Sequence, residues 1–265
     1  MTEPLTTQKR CWAEIDLEAL RHNVALVRRL AGDRAGVMAI IKANAYSHGL
    51  PEIAVALVGQ VEMFGVANVS EARAIRQVLP EAEIFILGAA LPWERDEIVR
   101  SGFIPCISSR EEAVLFNQAC GNGRVRAHLV IDTGMGRMGV WQDDALKVAC
   151  EVLSLPGIEI TGVATHLPAA DEDEAYTAEQ LARFEEIVAR LRELGITAPM
   201  VHALNSAGVI RFGSHAQGMV RAGLMLYGVS PVPDFQDQLR PVMTLKTRIT
   251  LVREVAAGRS VSYGR

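Results

Sequence analysis

Short β-rich apolar runs alternate with amphipathic stretches along most of the chain, and this alternation limits the possible folds more than any other feature. Strand-like segments recur at Gly36–Lys42, Met63–Val69, Ile84–Gly88, Phe103–Ser108, Arg126–Asp132, Ile158–His166, Met200–Ala203 and Met219–Leu226, eight in all. Helical patterns separate most of them. The first starts at Leu17 behind Asp16 as N-cap, with Leu17, Leu20, Val24, Val27 and Leu30 on one face. Others are expected to open at Ser70, at Ser109 with Glu112 in capping-box spacing, and at Thr177 with Gln180 in the same relation. The last carries the stripe Leu181, Phe184, Val188, Leu191 and Leu194, and Gly195 follows as a stop. The seventh connection, Ser206–Phe212, leaves room for a short helix only. Eight βα units over roughly 190 residues predict an α/β fold, a TIM-type (β/α)8 barrel, compact beside the usual ~250 residues. A doubly wound open sheet competes, because periodicity does not show closure.

The pattern changes after Gly228. A Pro-punctuated connector, VSPVPDFQDQLRP, leads into VMTLKTRITLVREV, in which Met243, Leu245, Thr247, Ile249 and Leu251 share one face. One strand cannot bury its own apolar face. It needs the rest of a β-domain, a partner chain, or the opening strand-like CWAEIDL. The expected organisation is an N-terminal segment 1–16, a barrel over 17–230, and a connector with the first strands of a truncated β-domain over 231–265.

Lys and Arg number 27 against 31 Asp and Glu, a net charge of −4, so electrostatics give no reason to expect nucleic-acid or acidic-membrane binding. No window approaches the ~18 apolar residues of a membrane span, and Met1–Arg10 has no apolar signal core. The cysteines at 11, 106, 120 and 150 form no CxxC pair. They are expected to be buried structural thiols in a reduced cytoplasm, with no metal site.

In such a barrel, function gathers at the C-terminal ends of the strands. Those ends present Lys42, Asp132 with the loop TGMGRMG, His166, His202 running into Asn205–Ser206, and Arg221 before Gly223. Lys42 closes the apolar run VMAII, where a desolvated amine can act as nucleophile or Schiff-base former, or can snorkel to the barrel mouth. Ser206 and Gly223 follow the seventh and eighth strands, where barrels often build a phosphate cup, although ordinary turn chemistry also accounts for them. A cup and such a lysine on one rim suggest pyridoxal phosphate. GMGRMG matches G-x-G-x-x-G, but it follows the fifth strand and no helix pattern begins before about Gln142. It reads instead as a loop presenting Arg137. Asp171–Glu174 reads as a solvated acidic loop.

Taken in order, WAEIDLEALRHN, IKANAYSHG, DTGMGRMG, THLPAAD, HALNSAG, VRAGLMLYG and VSYG resemble alanine racemases, fold-type III pyridoxal-phosphate enzymes, over nearly the whole chain. The resemblance implies interconversion of L- and D-alanine, supplying D-alanine for peptidoglycan, by a cytoplasmic homodimer with shared active sites. It implies Lys42 as the cofactor-bearing residue, Tyr46 and Ser206 as phosphate ligands with help from Asn205, Gly223 and Leu224, and Arg221 as partner of the pyridine nitrogen. His202 would support Arg221, His166 would lie beside the ring, and Arg137 would contact the substrate carboxylate. Two acid/bases on opposite faces would move the α-proton: Lys42 for the D-substrate and Tyr263, donated across the dimer, for the L-substrate.

Three positions depart from the family. Ser47 stands where glycine is frequent. Val130 stands where many members carry a carbamate-modified lysine, so the brace of Arg137 must come from elsewhere. The family also continues past the catalytic tyrosine for roughly a hundred residues, an ordinary domain size. That part would supply another phosphate-binding tyrosine, a substrate contact and much of the dimer surface. The 265-residue chain is therefore expected to bind cofactor with weak turnover or none. Competing readings are a non-catalytic pyridoxal-phosphate carrier and a racemase of another small amino acid. NAYSHG after the lysine argues against a decarboxylase.

Overall fold

The computed structural model describes residues 9–264. Its contacts separate two compact units: Asp16–Val242, and a smaller one built from the N-terminal segment up to Ile15 and the chain from Met243 onward.

The smaller unit contains β1 (Cys11–Ile15), paired antiparallel with the last strand, Met243–Thr247, from Cys11 opposite Thr247 to Ile15 opposite Met243. The strand is shorter than the sequence alternation predicts. Ile249 and Leu251 lie beyond it, and Leu245, Ile249 and Leu251 are each more than 70% exposed.

The larger unit opens with α1 (Leu17–Ala31). Asp16 caps it as predicted, accepting the N–H groups of Glu18 and Ala19. Then come β2 (Ala35–Ile40), two short helical segments α2 (Lys42–Ser47) and α3 (Leu50–Ala56), β3 (Met63–Val66), α4 (Val69–Val78), β4 (Ile84–Ile86), α5 (Arg95–Arg100), β5 (Ile104–Ile107) and α6 (Arg110–Ala119). The second half runs β6 (Val125–Asp132), the two-residue β7 (Val140–Trp141), α7 (Ala145–Leu153), β8 (Ile158–Ala164), α8 (Glu174–Glu193), β9 (Met200–His202), α9 (Ser206–Phe212) and β10 (Gly218–Ala222). The last strand, already described, is β11.

Eight strands pair in parallel in the order β10, β2, β3, β4, β5, β6, β8, β9. The N–H of Arg221 donates to the Leu204 carbonyl at 2.9 Å, joining β10 to the segment just past β9 and closing the ring. A Cβ at Gly218 would sit 2.6 Å from the Val201 nitrogen, so the two backbones meet only because that position is glycine. Closure decides for the barrel over the open sheet. Met38, Ile40, Met63, Phe85, Ile104, Cys106 and Met219 fill the interior. A second shell, including Leu20, Val27, Ile53, Ile75, Ile98, Phe116 and Phe184, is buried between strands and helices. Each such side chain contributes about 1.5–3 kcal/mol by leaving water.

Several local expectations are corrected. The fourth helix is capped by Asn68 rather than opening at Ser70. The long helix begins at Glu174 under an Asp173 cap, so Thr177 and Gln180 lie buried inside it, and Leu194 falls past its end. Ser109 caps α6 as predicted, but the Glu112 carboxylate accepts from Ser108 N–H instead of the cap residue's own. Cys106 is buried and its thiol is pushed up to about 12 by desolvation, whereas Cys11 and Cys150 are exposed. The residues after Gly228 do not form a free connector. Asn23, buried in α1, donates to the carbonyls of Leu226 and Arg240 and accepts the Arg240 N–H.

Candidate active site

The C-terminal ends of the strands open into a cavity of about 380 Å³ lined by Lys42, Tyr46, Val130, Arg137, His166, His202, Asn205, Ser206, Arg221, Gly223 and Leu224, among others. Each pocket residue singled out in the sequence is at this rim. Tyr263 belongs to the smaller unit, where it is fully exposed.

β2 stops at Ile40, two residues before Lys42, because the backbone then reverses hand. Ala43, Asn44, Ala45 and Tyr46 adopt φ of 51–53° with ψ of 42–53°, a turn of left-handed helix. L-residues enter this region at a cost of about 1–2 kcal/mol each. The turn carries Lys42 and Tyr46 to the cavity together. Ser47 continues it at φ 71. Below it Tyr227 donates to the Ile40 carbonyl at 3.2 Å and packs against Tyr46, ring centroids 5.0 Å apart. Burial raises the Tyr46 and Tyr227 phenols above their ordinary range, so both stay protonated donors.

Arg221 is 5% exposed and, among the described residues, has no carboxylate partner. Its Nη1 donates to His202 Nδ1 and to the His202 carbonyl, both at 2.8 Å. Its Nη2 donates to the carbonyls of Thr165 (2.7 Å) and Ala203 (3.0 Å) and to His166 Nδ1 (3.1 Å). A guanidinium only donates, so both histidines accept through Nδ1 and carry their protons on Nε2. His202 Nε2 then donates to Nδ1 of His128, 2.9 Å away. Burial first, then the Arg221 charge, holds the three imidazoles neutral: His128 and His166 fall to about 3, and His202 lies well below its usual value. Arg221 itself is lowered to about 10 by burial and by Arg137, and is charged at neutral pH. Among the described residues its Nε has no protein acceptor, leaving one donor for a ligand.

The strand-end reading of the sequence does not single out His128. It shares the interior face of β6 with Val130 and Asp132, and that period-2 spacing was the available signal. Gly162 on β8 makes room for it: a Cβ there would lie 2.4 Å from the imidazole.

Asp132 organises the glycine-rich loop. Its carboxylate accepts the N–H groups of Gly134, Met135 and Gly136 at 2.8–2.9 Å. The loop places Arg137 on the cavity wall with no acidic side chain in ion-pair range among the described residues. No helix starts directly after it, which removes the nucleotide reading. The acidic loop is solvated as expected at Glu172, Asp173 and Glu174, although Asp173 also caps α8 and Glu174 pairs with Arg211, and Asp171 lines the cavity.

At the opposite wall the Ser206 hydroxyl oxygen accepts from Gly223 N–H (3.0 Å) and Met225 N–H (3.4 Å), leaving its own proton to donate. A Cβ on Gly223 would meet the Tyr46 hydroxyl at 3.1 Å, so the glycine keeps a hollow open between Tyr46 and Ser206. Leu224 begins a 3-10 turn, and its N–H therefore has no intrahelical acceptor. The Asn205 side chain is committed to the fold, accepting Gly208 N–H and donating to the Leu167 carbonyl. Two hydroxyl donors and a free N–H around a hollow suit a phosphate, and the spare Arg221 donor suits a ring nitrogen. No cluster of three metal-ligating side chains occurs among the described residues.

The family model for the alanine racemase N-terminal domain matches residues 15–231. An alanine racemase of Carboxydothermus hydrogenoformans is 39% identical over 260 residues, covering 96% of this chain and 70% of the relative. One from Halothermothrix orenii is 37% identical over 259 residues, covering 96% and 68%. Among solved structures, an alanine racemase of Clostridium difficile superposes with a TM-score of 0.89 at 31% identity, covering 98% of this chain and 70% of that one. The biosynthetic alanine racemase of Pseudomonas aeruginosa gives 0.85 at 30% identity, covering 97% and 71%.

Proposed function

The chain belongs to the alanine racemase family, a family of pyridoxal-phosphate-dependent isomerases, and on that footing we propose that it interconverts L- and D-alanine through acid/base groups on opposite faces of the substrate. The observation that carries the reading is the buried Arg221, charged and, among the described residues, without a carboxylate partner and with Nε unclaimed, beside Lys42 and the Tyr46–Ser206 hollow. These residues fit pyridoxal 5′-phosphate. Lys42 would bear it, Tyr46, Ser206 and Leu224 N–H would hold the phosphate, Gly223 would leave it room, and Arg221 would donate to the ring nitrogen. When bound, the cofactor supplies an electron sink that acidifies the α-proton of an amino acid.

The side chains do the rest. Arg221 holds its proton instead of releasing it to the ring, which moderates the sink and disfavours side reactions. His166, neutral and protonated on Nε2, lines the cavity without adding charge. Arg137 orients a substrate carboxylate by a bidentate contact. The Lys42 amine takes the α-proton from the D-substrate, and the Tyr263 phenol, contributed by a second copy of the chain, takes it from the L-substrate. On this reading 17–230 is the cofactor-binding barrel, 1–16 an N-terminal segment that associates with the β-domain, and 231–265 the connector and the start of that domain. The active species is a cytoplasmic homodimer whose D-alanine feeds peptidoglycan. None of the helices described is long and apolar enough to cross a membrane.

The test is α-proton exchange with deuterated water, catalysed by the cofactor-loaded chain on each enantiomer. Supplied with the rest of the β-domain, wild type should exchange both, and Tyr263→Phe should lose L-alanine exchange more than D-alanine exchange, whereas the 265-residue chain alone should exchange weakly or not at all. Equal loss counts against two bases. No exchange by the complemented wild type, despite cofactor on Lys42, supports a carrier instead.

A further inference from the structure

Lys42 is followed by five consecutive non-glycine residues with positive φ, from Ala43 to Ser47. Such a stretch persists only when its surroundings over-determine it. Two of the contacts that hold it are local. Asn44 Oδ1 accepts Leu50 N–H at 2.9 Å, and His48 Nδ1 donates to the carbonyls of Ala45 and Tyr46 at 3.0 Å. These move with the segment and cannot fix it to the barrel.

Glu71, in the first turn of α4, is not local. One carboxylate oxygen accepts the Ala43 N–H at 2.7 Å, and the other accepts the Ala67 N–H at 2.8 Å. Its own N–H is held by the Asn68 cap at 3.1 Å. The side chain therefore ties the peptide unit between Lys42 and Ala43 to the loop that follows β3. We propose that Glu71 is a positioning residue for Lys42, clamping the left-handed turn so that the lysine and Tyr46 meet the cavity in one fixed geometry. The inference rests on Lys42 as the cofactor-bearing residue. Without the clamp the turn can relax toward right-handed backbone, and the amine moves by more than the half ångström or so that a reacting group tolerates.

The chemistry of the clamp separates it from mere packing. Glutamine has the shape of glutamate but offers one acceptor where the carboxylate offers two, and its NH2 opposes the second N–H. A packing role leaves Glu71→Gln like wild type, whereas a clamp does not. Hydrogen exchange read by mass spectrometry on wild type, Glu71→Gln and Glu71→Ala makes the comparison without cofactor. The expected result is exchange about tenfold or more faster in the peptides holding Ala43 and Ala67, graded from Gln to Ala, with α8 unchanged. Borohydride trapping of pyridoxal phosphate on Lys42 should slow by about ten- to a hundredfold in the same order. Unchanged exchange at Ala43 and Ala67 in Glu71→Gln overturns the proposal, as does acceleration spread equally over α8. If trapping in wild type lands on a different lysine, the cofactor assignment fails, while the exchange result still judges the clamp.

Discussion

His202 accepts a hydrogen bond from Arg221 through Nδ1 at 2.8 Å, and that contact dictates where the protons of a buried histidine chain lie. Because arginine has no acceptor, His202 must carry its proton on Nε2, and that proton in turn goes to His128. The chain thus delivers a neutral acceptor to a buried cation and requires no carboxylate. A carboxylate in place of Arg221 would draw a ligand's ring nitrogen toward protonation, and a guanidinium held by neutral imidazoles does not.

Replacing His202 by phenylalanine keeps the volume and removes the acceptor. Arg221 then retains only carbonyl partners on Nη1, and His128 loses its donor. Loss of about 1–3 kcal/mol is expected, read as a lower urea midpoint at unchanged slope. A midpoint like that of wild type would mean the imidazole chain adds nothing to holding Arg221.

Acid should destabilise the barrel well before its carboxylates titrate. His128 and His166 bind protons only near pH 3 when folded, against about 6.5 when unfolded. Between those values the unfolded chain binds more protons, so the stability these groups confer is complete above pH 6.5 and drains away as pH falls. Each contributes a slope of about 1.4 kcal/mol per pH unit. Urea midpoints from pH 7 to pH 5 should fall, and His128→Asn should flatten that fall. A slope in His128→Asn equal to wild type would contradict the neutral-chain account.

Lys42 is expected to be the lysine that pyridoxal phosphate modifies. Borohydride reduction of loaded protein followed by peptide mapping should find the pyridoxyl group there, and Lys42→Ala should leave the protein unlabelled. An adduct at Lys147 or Lys246 instead would remove Lys42 from the site.

Gly223→Ala tests the hollow. Its Cβ would press on the Tyr46 hydroxyl at 3.1 Å, and the phenol is held by its tilted ring contact with Tyr227. The expected outcome is a folded protein whose Kd for pyridoxal phosphate rises about tenfold, roughly 1.4 kcal/mol. Fluorescence titration measures it. Unaltered affinity would place the phosphate elsewhere.

The barrel and most of its rim could be read from residue order alone. Period-2 and period-3.6 patterning is local, and in a parallel barrel every strand ends on the same rim. Knowing the strands therefore located Lys42, His166, His202, Ser206 and Arg221 together. Asp16 and Ser109 announced themselves by capping chemistry, which spans only three residues. Local spacing misplaces the start of the long helix, because Thr177–Gln180 repeats the capping spacing inside it and spacing does not choose between Asp173 and Thr177. Closure of the ring, the hand of the turn after Lys42, the Glu71 bridge and the His128–His202–Arg221 chain came only from tertiary structure. Glu71 and Ala43 lie 28 residues apart, and His128 and His202 lie 74 apart. Nothing in the local sequence encodes such meetings. They exist because strands distant in the chain become neighbours in one ring, and because a left-handed run of ordinary residues is stable only when contacts from outside compensate its cost.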